Sequence, residues 1–171
     1  MGESAGSHNS RPRETSITWH DPAGLLPKIR MLSGIEYVRA LLEAVLPVEA
    51  FPAALGIRVA DAAPGEVTLT ATVADWEVNA SGVAHGGFLS SLMDLASGLA
   101  VHSLLDAGTV GPHVQSSYRF LRPAARAAAL TCTGHVLHRG RTLAVARTEI
   151  RDSSGRHVAL GDSTHAYIQL D

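Results

Sequence analysis

The longest regular pattern of apolar positions in the chain runs from residue 86 to residue 105. Apolar residues recur there at spacings of three and four, which is typical of one buried helical face. They are Leu89, Leu92, Met93, Ala96, Leu99, Ala100 and Leu104. The second stripe of this helix holds only small residues and one carboxylate, Asp94. Because surface helices usually carry several charges, the pattern predicts a central helix that is buried on most sides.

The beginning of this helix, His85-Gly86-Gly87, has no Ser, Thr, Asp or Asn directly before it to cap it. The first amides of a helix lack internal partners, and the helix dipole favours negative charge near them. Glycines leave those amides open to a ligand. Gly86 is therefore a candidate donor to a developing oxyanion, and Gly87 is a candidate substrate contact.

Asp94 is the second candidate for chemistry on this helix. A lone carboxylate on a buried helix is costly unless it is paired or used. Eight residues separate it from Gly86, which is about 12 Å along the axis at about 1.5 Å per residue. That distance is too long for both groups of one helix to act on the same carbonyl. If they cooperate, Asp94 must come from a second copy of the chain.

The segments on either side of the helix have the patterns of strands. Residues 66–73 alternate polar and apolar without exception, which predicts a half-buried antiparallel strand after a short strand at 56–60. Four more strands are predicted after the helix, at 114–121, 127–137, 142–150 and 158–168, with a hairpin turn at 139–141. Two strands, one long helix and four strands predict an α+β fold, in which one antiparallel sheet surrounds the central helix.

The first 50 residues have a different character. Residues 1–16 are rich in Ser, Gly, Arg and Glu, which predicts disorder. Ser33-Gly-Ile-Glu36 has the form of a capping box and starts a helix whose apolar face includes Val38, Leu41 and Val45. We therefore divide the chain into an N-terminal extension, residues 1–50, and a main domain, residues 51–171. The pattern favours a packing role for this helix over a lid on a pocket.

Composition limits the choice of partners and compartment. A net charge of −2 gives no strong basic field, so nucleic acid is not an expected partner. No apolar run reaches the roughly 20 residues that span a membrane, and we see no hydrophobic region typical of a signal peptide. The single cysteine, Cys132, cannot form an internal disulfide, which fits a reducing, cytoplasmic location. Its position in a predicted strand indicates a buried structural thiol.

The nine histidines raise the question of a metal site. No pair has the helical spacing of four with a flanking glutamate. His135 and His138 are three apart on a predicted strand and should point to opposite faces. We therefore expect neither a metal nor another cofactor.

Several of these residues together carry a resemblance to a known family. Asn79 lies six residues before His85-Gly86-Gly87, and Asp94 lies nine after His85. With Tyr118–Pro123 and the Gly140-Arg141-Thr142 turn, this pattern resembles the hot-dog-fold thioesterases of the PaaI (phenylacetate-degradation) type over residues 51–168. The resemblance implies hydrolysis of acyl-CoA thioesters by a dimer with active sites between subunits. An exposed edge strand at 114–120 also needs a partner, which favours a homodimer or a dimer of dimers.

The resemblance implies a role for each matching residue. Asp94 would be the general base or the nucleophile, and Asn79 would bind the thioester or the attacking water. His85 would orient the start of the helix rather than act as a base. Attack by water and an anhydride intermediate both remain open.

One position departs from the pattern of related enzymes, which often carry a hydroxyl residue on the strand after the helix. The counterpart here is His113, which is neither Ser nor Thr. Gln115 and Ser117 are the other candidates to position water or substrate.

Coenzyme A would bring phosphates, so basic residues are expected near the site. Four arginines occur close to predicted strand ends and turns: Arg122, Arg126, Arg139 and Arg141. They are candidate contacts for the phosphates, with solvated surface arginines as the alternative.

Two other functions stay open. A protein of the same fold could bind an acyl-CoA without cleaving it, although such a protein has no need of Asp94. An enoyl-CoA hydratase of this fold would need an Asp and His pair, and the central helix offers none. The identity of the acyl group and the choice of donor, coenzyme A or an acyl carrier protein, also stay open.

Overall fold

The computed structural model describes residues 12–170, with four α-helices and eight strands. The helices are α1 (Leu26–Met31), α2 (Gly34–Leu42), α3 (Ala50–Ala54) and α4 (Gly86–His102), with a 3-10 turn at Pro22–Gly24. The strands are β1 (Arg58–Ala63), β2 (Glu66–Thr72), β3 (Thr109–Val110), β4 (His113–Phe120), β5 (Ala129–Arg139), β6 (Leu143–Asp152), β7 (His157–Ala166) and β8 (Ile168–Gln169). The disorder predicted for residues 1–16 falls mostly on residues 1–11, which lie outside the described residues.

Six strands form one antiparallel sheet in the order β1-β2-β5-β6-β7-β4, and β3 pairs with β8 in a small second sheet. Helix α4 packs against β2, β4, β5, β6 and β7. The α+β prediction of one antiparallel sheet around a central helix is therefore confirmed. Within residues 12–170, the structure has no helix that is both long and apolar enough to cross a bilayer.

The buried face of α4 forms the centre of the core, as its apolar periodicity predicts. Leu92, Met93 and Ala96 have no solvent exposure, and they share a core cluster with Leu69 and Cys132. The predicted burial of Cys132 is confirmed, and burial raises the pKa of its thiol. Because the sheet packs against the apolar face of α4, this face is sealed within a single chain.

Helix α4 is buried on most sides, as predicted, since nine of its 17 residues are buried. The exception is the stripe around Asp94, whose side chain is 56% exposed in the single chain. The sheet covers the apolar face, and the small residues around Asp94 are covered only in part by the same chain. The helix also ends at His102, which leaves Leu104 beyond its C-terminus.

The N-terminal extension docks on the end of α4. The capping box of α2 is present, with the backbone N–H of Ser33 donating to Glu36 at 2.9 Å, and Val38 and Leu41 are buried. Val45 was expected on the same face but is 71% exposed, because α2 ends at Leu42 and Ala44 takes a positive φ of 56°. The helices α1 and α3 were not predicted. The division at residue 50 stays a prediction.

The predicted orientation of the two histidines on β5 is also wrong. His135 pairs with Arg147, and His138 pairs with Val145, two positions along β6. Since alternate residues of a strand share a face, both histidines lie on the same face of the sheet. A bulge between Val136 and His138 adds the extra residue that changes the alternation.

Two glycines allow the backbones of β5 and α2 to approach the backbone of α4 closely. A Cβ on Gly134 of β5 would overlap the carbonyl oxygen of Ala96, in the middle of α4. A Cβ on Gly34 of α2 would overlap the carbonyl oxygen of His102, while the Gly34 N–H donates to Leu105 O at 2.9 Å. These contacts set the distance from α4 to the sheet and to the extension.

We expect Gly134→Ala to lower the free energy of unfolding by about 2 kcal/mol or more, because overpacking against rigid backbone forces one element to shift. Gly24→Ala is the matched control, since its Cβ would meet nothing within 4 Å. Urea denaturation of both variants measures the effect. Equal stability of Gly134→Ala and the unsubstituted protein would contradict the assigned contact.

Candidate active site

A tight loop leads into α4 and is organised by Asn79. Its Oδ1 accepts from the Ser81 N–H at 2.9 Å, and its own N–H donates to Val83 O at 2.8 Å. The Asn79 side chain therefore has the role of a turn residue. Within residues 12–170 its Nδ2 makes no hydrogen bond, so this group remains able to bind a ligand. The predicted contact of Asn79 with the thioester stays a prediction.

The start of α4 is capped, contrary to expectation. His85 is the N-cap residue, and its Nδ1 accepts from the Gly87 N–H at 2.9 Å. The amide of Gly87 is therefore occupied, whereas the amide of Gly86 has no hydrogen-bond partner within the described residues. Ser, Thr, Asp and Asn are the common caps, so the sequence pattern did not suggest histidine. Of the two glycine amides that were expected to be open, only the amide of Gly86 remains open.

The first of two cavities relevant here, called the Gly86 cavity, has a volume of about 300 Å³ and lies beside that open amide. Its lining includes Asn79, Gly86, Phe120 and Arg122. A Cβ on Gly86 would lie 3.4 Å from the ring of Phe120, at the end of β4. The loop, the helix N-terminus and the end of β4 thus combine an amide donor with a basic residue.

The second, called the Asp94 cavity, has a volume of about 340 Å³ and includes Asp94, Gly98, His102 and His113 in its lining. Asp94 Oδ1 lies 3.4 Å from His113 Nδ1, at the start of β4. The central helix offered no Asp and His pair in sequence. The tertiary structure supplies one by bringing a histidine from the sheet.

His113 is held by several contacts. Its Nε2 lies 2.9 Å from Ser97 Oγ, and that hydroxyl donates to the Met93 carbonyl at 3.0 Å. The Ser97 oxygen is therefore left to accept from a protonated Nε2. Burial lowers the pKa of His113, and the negative charge of Asp94 opposes this shift.

A second histidine lies against the first, with ring centroids of His113 and His165 4.0 Å apart. His165 Nδ1 donates to Gly111 O at 2.9 Å, so its Nε2 accepts from Ser163 Oγ at 3.0 Å. Burial lowers the pKa of His165. Sequence reasoning missed His165, although a histidine at a buried position of a regular strand was a usable signal.

The other predicted substrate contacts are not brought to these cavities by one chain. Gln115 is exposed on β4 and Ser117 is half-buried there, and neither lines the Gly86 or the Asp94 cavity. Gly87 is occupied by the cap of His85. Their roles as substrate contacts stay predictions.

The four arginines do not form one cluster within a chain. Arg122 donates to His157 O at 2.8 Å beside the Gly86 cavity, and Arg126 pairs with Asp75 at 3.4 Å. The other two line a separate cavity of about 550 Å³: Arg139 and Arg141. Arg126 precedes β5 and Arg139 ends it, so the length of this 11-residue strand separates them.

Gly86 and Asp94 face different cavities of the same chain, as their spacing along α4 requires. One chain therefore presents an open amide beside Phe120 and a carboxylate beside His113. Among the described residues, no three His, Cys, Asp or Glu side chains come together as a possible metal site.

Known sequences resemble the part of the chain that contains these candidate residues. The profile of the family described as "Thioesterase superfamily" matches residues 81–159. Acyl-coenzyme A thioesterase 13 of Homo sapiens is 30% identical over 136 residues, which cover 78% of this chain and 96% of that protein. Residues 81–159, which the family profile matches, contain the start of α4, Asp94 and His113.

Solved structures show the same architecture. The PaaI protein of the phenylacetic acid degradation operon of E. coli aligns with a TM-score of 0.72 and 28% identity, covering 81% of this chain and 100% of that one. A hypothetical thioesterase of Streptococcus pneumoniae, solved with coenzyme A, aligns with a TM-score of 0.62 and 34% identity, covering 67% and 88% of the two chains. A Streptococcus mutans protein bound to acetyl CoA has a TM-score of 0.63 and 28% identity, covering 67% and 90%.

We expect the free energy of unfolding to fall as the pH drops below about 6.5, the ordinary pKa of histidine. Burial lowers the pKa values of His102, His113 and His165, so below that pH the unfolded chain binds more protons than the folded one. Urea denaturation at about pH 7.5 and about pH 5.5 measures the difference. His165→Gln, which keeps a donor and an acceptor, should reduce it. An unchanged pH dependence in this variant would exclude His165 as a contributor.

Proposed function

Because the chain belongs to the thioesterase superfamily, we propose that it hydrolyses acyl-CoA thioesters to a free acid and coenzyme A at a site built by two copies of the chain. The Gly86 amide of one copy binds the oxyanion, and the Asp94 carboxylate of the other acts as the general base or as the nucleophile. The positions of these two groups relative to β4 carry this proposal.

The two groups lie near opposite ends of one strand. Asp94 is next to His113, the first residue of β4, and Gly86 is next to Phe120, the last. A two-fold axis that pairs two β4 strands antiparallel sets the first residue of one strand beside the last residue of the other. This arrangement moves Asp94 of one copy toward Gly86 of its twin, which one α4 helix alone does not permit.

The free edge of β4 supports such pairing. β4 ends the six-strand order and pairs only with β7 among the described residues. Val114 and Phe120 are large apolar residues of this strand, 62% and 52% exposed in the single chain. An unpaired apolar edge is costly in isolation and is a ready surface for a second strand. A homodimer, alone or as half of a tetramer, covers it.

The chemistry follows from the two groups. The Gly86 N–H, at the positive end of the α4 dipole, stabilises the oxygen that becomes negative when the thioester carbonyl is attacked. Asp94 either takes a proton from the attacking water or attacks the carbonyl itself to form an anhydride, which water then opens. In both routes the C–S bond breaks and coenzyme A leaves as the thiol or thiolate. His113 lies beside Asp94, and the free Nδ2 of Asn79 can bind the thioester or the water.

No cofactor takes part in this proposal, and coenzyme A enters as part of the substrate. The relatives from Streptococcus pneumoniae and Streptococcus mutans, solved with coenzyme A or acetyl CoA, support this ligand class. Arg122, beside the Gly86 cavity, is the candidate contact for its phosphates. An acyl carrier protein remains an alternative donor. The proposed partner is a second copy of the chain rather than nucleic acid or a membrane. The proposed location is the cytoplasm.

Hydration of an enoyl-CoA is a second candidate, favoured by the Asp94 and His113 pair. In that reaction one group removes a proton from water while the other supplies a proton to the α-carbon. A test with an enoyl-CoA and its saturated analogue separates the two functions. Release of free coenzyme A from both indicates hydrolysis, whereas a 3-hydroxyacyl-CoA without thiol release indicates hydration.

We expect Gly86→Pro to lower kcat for acyl-CoA hydrolysis by roughly 10²-fold or more, the usual effect of losing one oxyanion donor. Proline fits the first position of a helix, and His85 already has the extended backbone that must precede it, so the change removes the N–H without breaking α4. Gly86→Ala is the matched control, because it keeps the N–H. Thiol release from short, medium, long and aryl acyl-CoAs is measured, and equal rates for Pro and Ala variants would exclude this donor.

Asp94→Asn and Asp94→Ala should each reduce thiol release by at least about 10²-fold, since neither can act as base or nucleophile. Folding should be unaffected, because Asp94 is exposed in the chain. Tight acyl-CoA binding without turnover in the unsubstituted protein would instead support the binding-only alternative. Full activity in both variants would remove Asp94 from the mechanism.

The shared site makes a sharper test possible. When Asp94→Ala and Gly86→Pro chains are co-expressed, random pairing gives mixed dimers in about half of the cases, each with one intact site of two. About a quarter of the unsubstituted activity should return, although each variant alone is inactive. No recovery in dimers shown to be mixed by mass spectrometry would rule out a site shared across the interface.

A further inference from the structure

The Asp94 cavity runs along one stripe of α4. Asp94, Gly98 and His102 follow at intervals of four residues, and all three line it. From Asp94 to His102 the helix rises about 12 Å at about 1.5 Å per residue. Between them, Gly98 leaves the cavity open, since its Cβ would meet only His113 Cε1, at 3.5 Å.

The N-terminal extension forms the opposite wall of this cavity. Tyr37 of α2 is 2% exposed and meets His102 edge to face, with ring centroids 5.2 Å apart. Asp94, at the other end of the stripe, is exposed. The cavity is therefore open toward the proposed chemistry at Asp94 and bounded by Tyr37 and His102 at its far end. Both α1 and α2 lie outside the residues that the family profile matches.

The far end contains two polar atoms that lack partners. Tyr37 Oη and His102 Nε2 are buried and make no hydrogen bond within residues 12–170. Buried polar atoms in proteins are almost always hydrogen-bonded, so two such atoms without partners, in side chains that line one cavity, indicate a missing partner. Sequence patterns give no sign of this pair, because Tyr37 and His102 are 65 residues apart.

The protonation states define the chemistry of that partner. Burial raises the pKa of Tyr37 to about 12, and the charge of Glu49 adds to the effect, so the phenol keeps its proton. Burial lowers the pKa of His102, so the imidazole is neutral and its Nε2 can accept. A hydroxyl group complements both atoms, because it accepts from the phenol and donates to the imidazole. A carboxylate does not, because it cannot donate and is repelled by Glu49, which also lines the cavity.

We propose that the Asp94 cavity holds the acyl group of the substrate and that Tyr37 and His102 select a linear acyl chain with a hydroxyl at its far end. This inference rests on the proposed function and names its substrate class. An extended chain advances about 1.2 Å per bond, as three backbone bonds span about 3.6 Å. The 12 Å stripe therefore fits about ten bonds between the carbonyl carbon and the hydroxyl oxygen.

The test compares decanoyl-CoA with 10-hydroxydecanoyl-CoA, which differ only in the terminal oxygen. We expect kcat/KM to be at least about tenfold higher for the hydroxylated chain, since the decanoyl methyl leaves two buried polar atoms unpaired. Hexanoyl-CoA and 6-hydroxyhexanoyl-CoA form the length control, because their chains are too short to reach Tyr37. Equal kcat/KM for the ten-carbon pair would overturn the proposal.

Tyr37→Phe removes a single oxygen atom from the far end. We expect it to reduce the preference for 10-hydroxydecanoyl-CoA to within about threefold of decanoyl-CoA, because one of the two hydrogen bonds is lost. Tyr167→Phe is the matched control, since Tyr167 Oη is also buried without a partner but lines a different cavity. An intact preference in Tyr37→Phe, or an equal loss in both variants, would count against selection by Tyr37.

Gly98→Val tests whether the acyl chain occupies this cavity at all. The added side chain enters the open middle of the stripe and should lower kcat/KM for both ten-carbon substrates by at least about tenfold relative to acetyl-CoA. Unchanged hydrolysis of decanoyl-CoA in this variant would place the acyl group elsewhere. If the unsubstituted protein hydrolyses no acyl-CoA, acetyl-CoA included, the proposed function fails, and this inference fails with it.

Discussion

The distance between Gly86 and Asp94 along α4 is the constraint on which the proposed active site depends. A helix is rigid, so their spacing of eight residues holds the open amide and the carboxylate about 12 Å apart along the axis. This distance does not depend on how the sheet packs. Within one chain the two groups line different cavities. A catalytic pairing of these groups must therefore be made between chains, and the free edge of β4 is the surface on which the chains can meet.

The packing of α4 explains why one side of the helix can be left for this purpose. Its apolar face is sealed by the sheet, and Gly134 lets β5 come close to the helix backbone. The remaining stripe, with Asp94 and Gly98, is only partly covered by the same chain. The buried core face and the proposed reactive face thus lie on different sides of the helix, so Asp94 stays exposed without weakening the core.

The N-terminal extension forms the far end of the Asp94 cavity. Gly34 brings α2 against the end of α4, and this contact places Tyr37 beside His102. The resulting cavity continues from Asp94 to two buried polar atoms without partners. The reaction chemistry and the proposed choice of acyl group therefore come from different parts of the chain.

The sequence by itself determined the long helix, the main strands and the capping box at Ser33, because apolar periodicity and caps are local patterns. It also singled out Gly86 and Asp94 and predicted that the two groups can cooperate only between two chains. The cap by His85 was missed because histidine is an unusual cap, and the bulge before His138 was missed because it changes alternation without a sequence signal. Only the tertiary structure decided that Asp94 faces outward and that His113 lies beside it, because contacts between distant residues depend on how the elements pack.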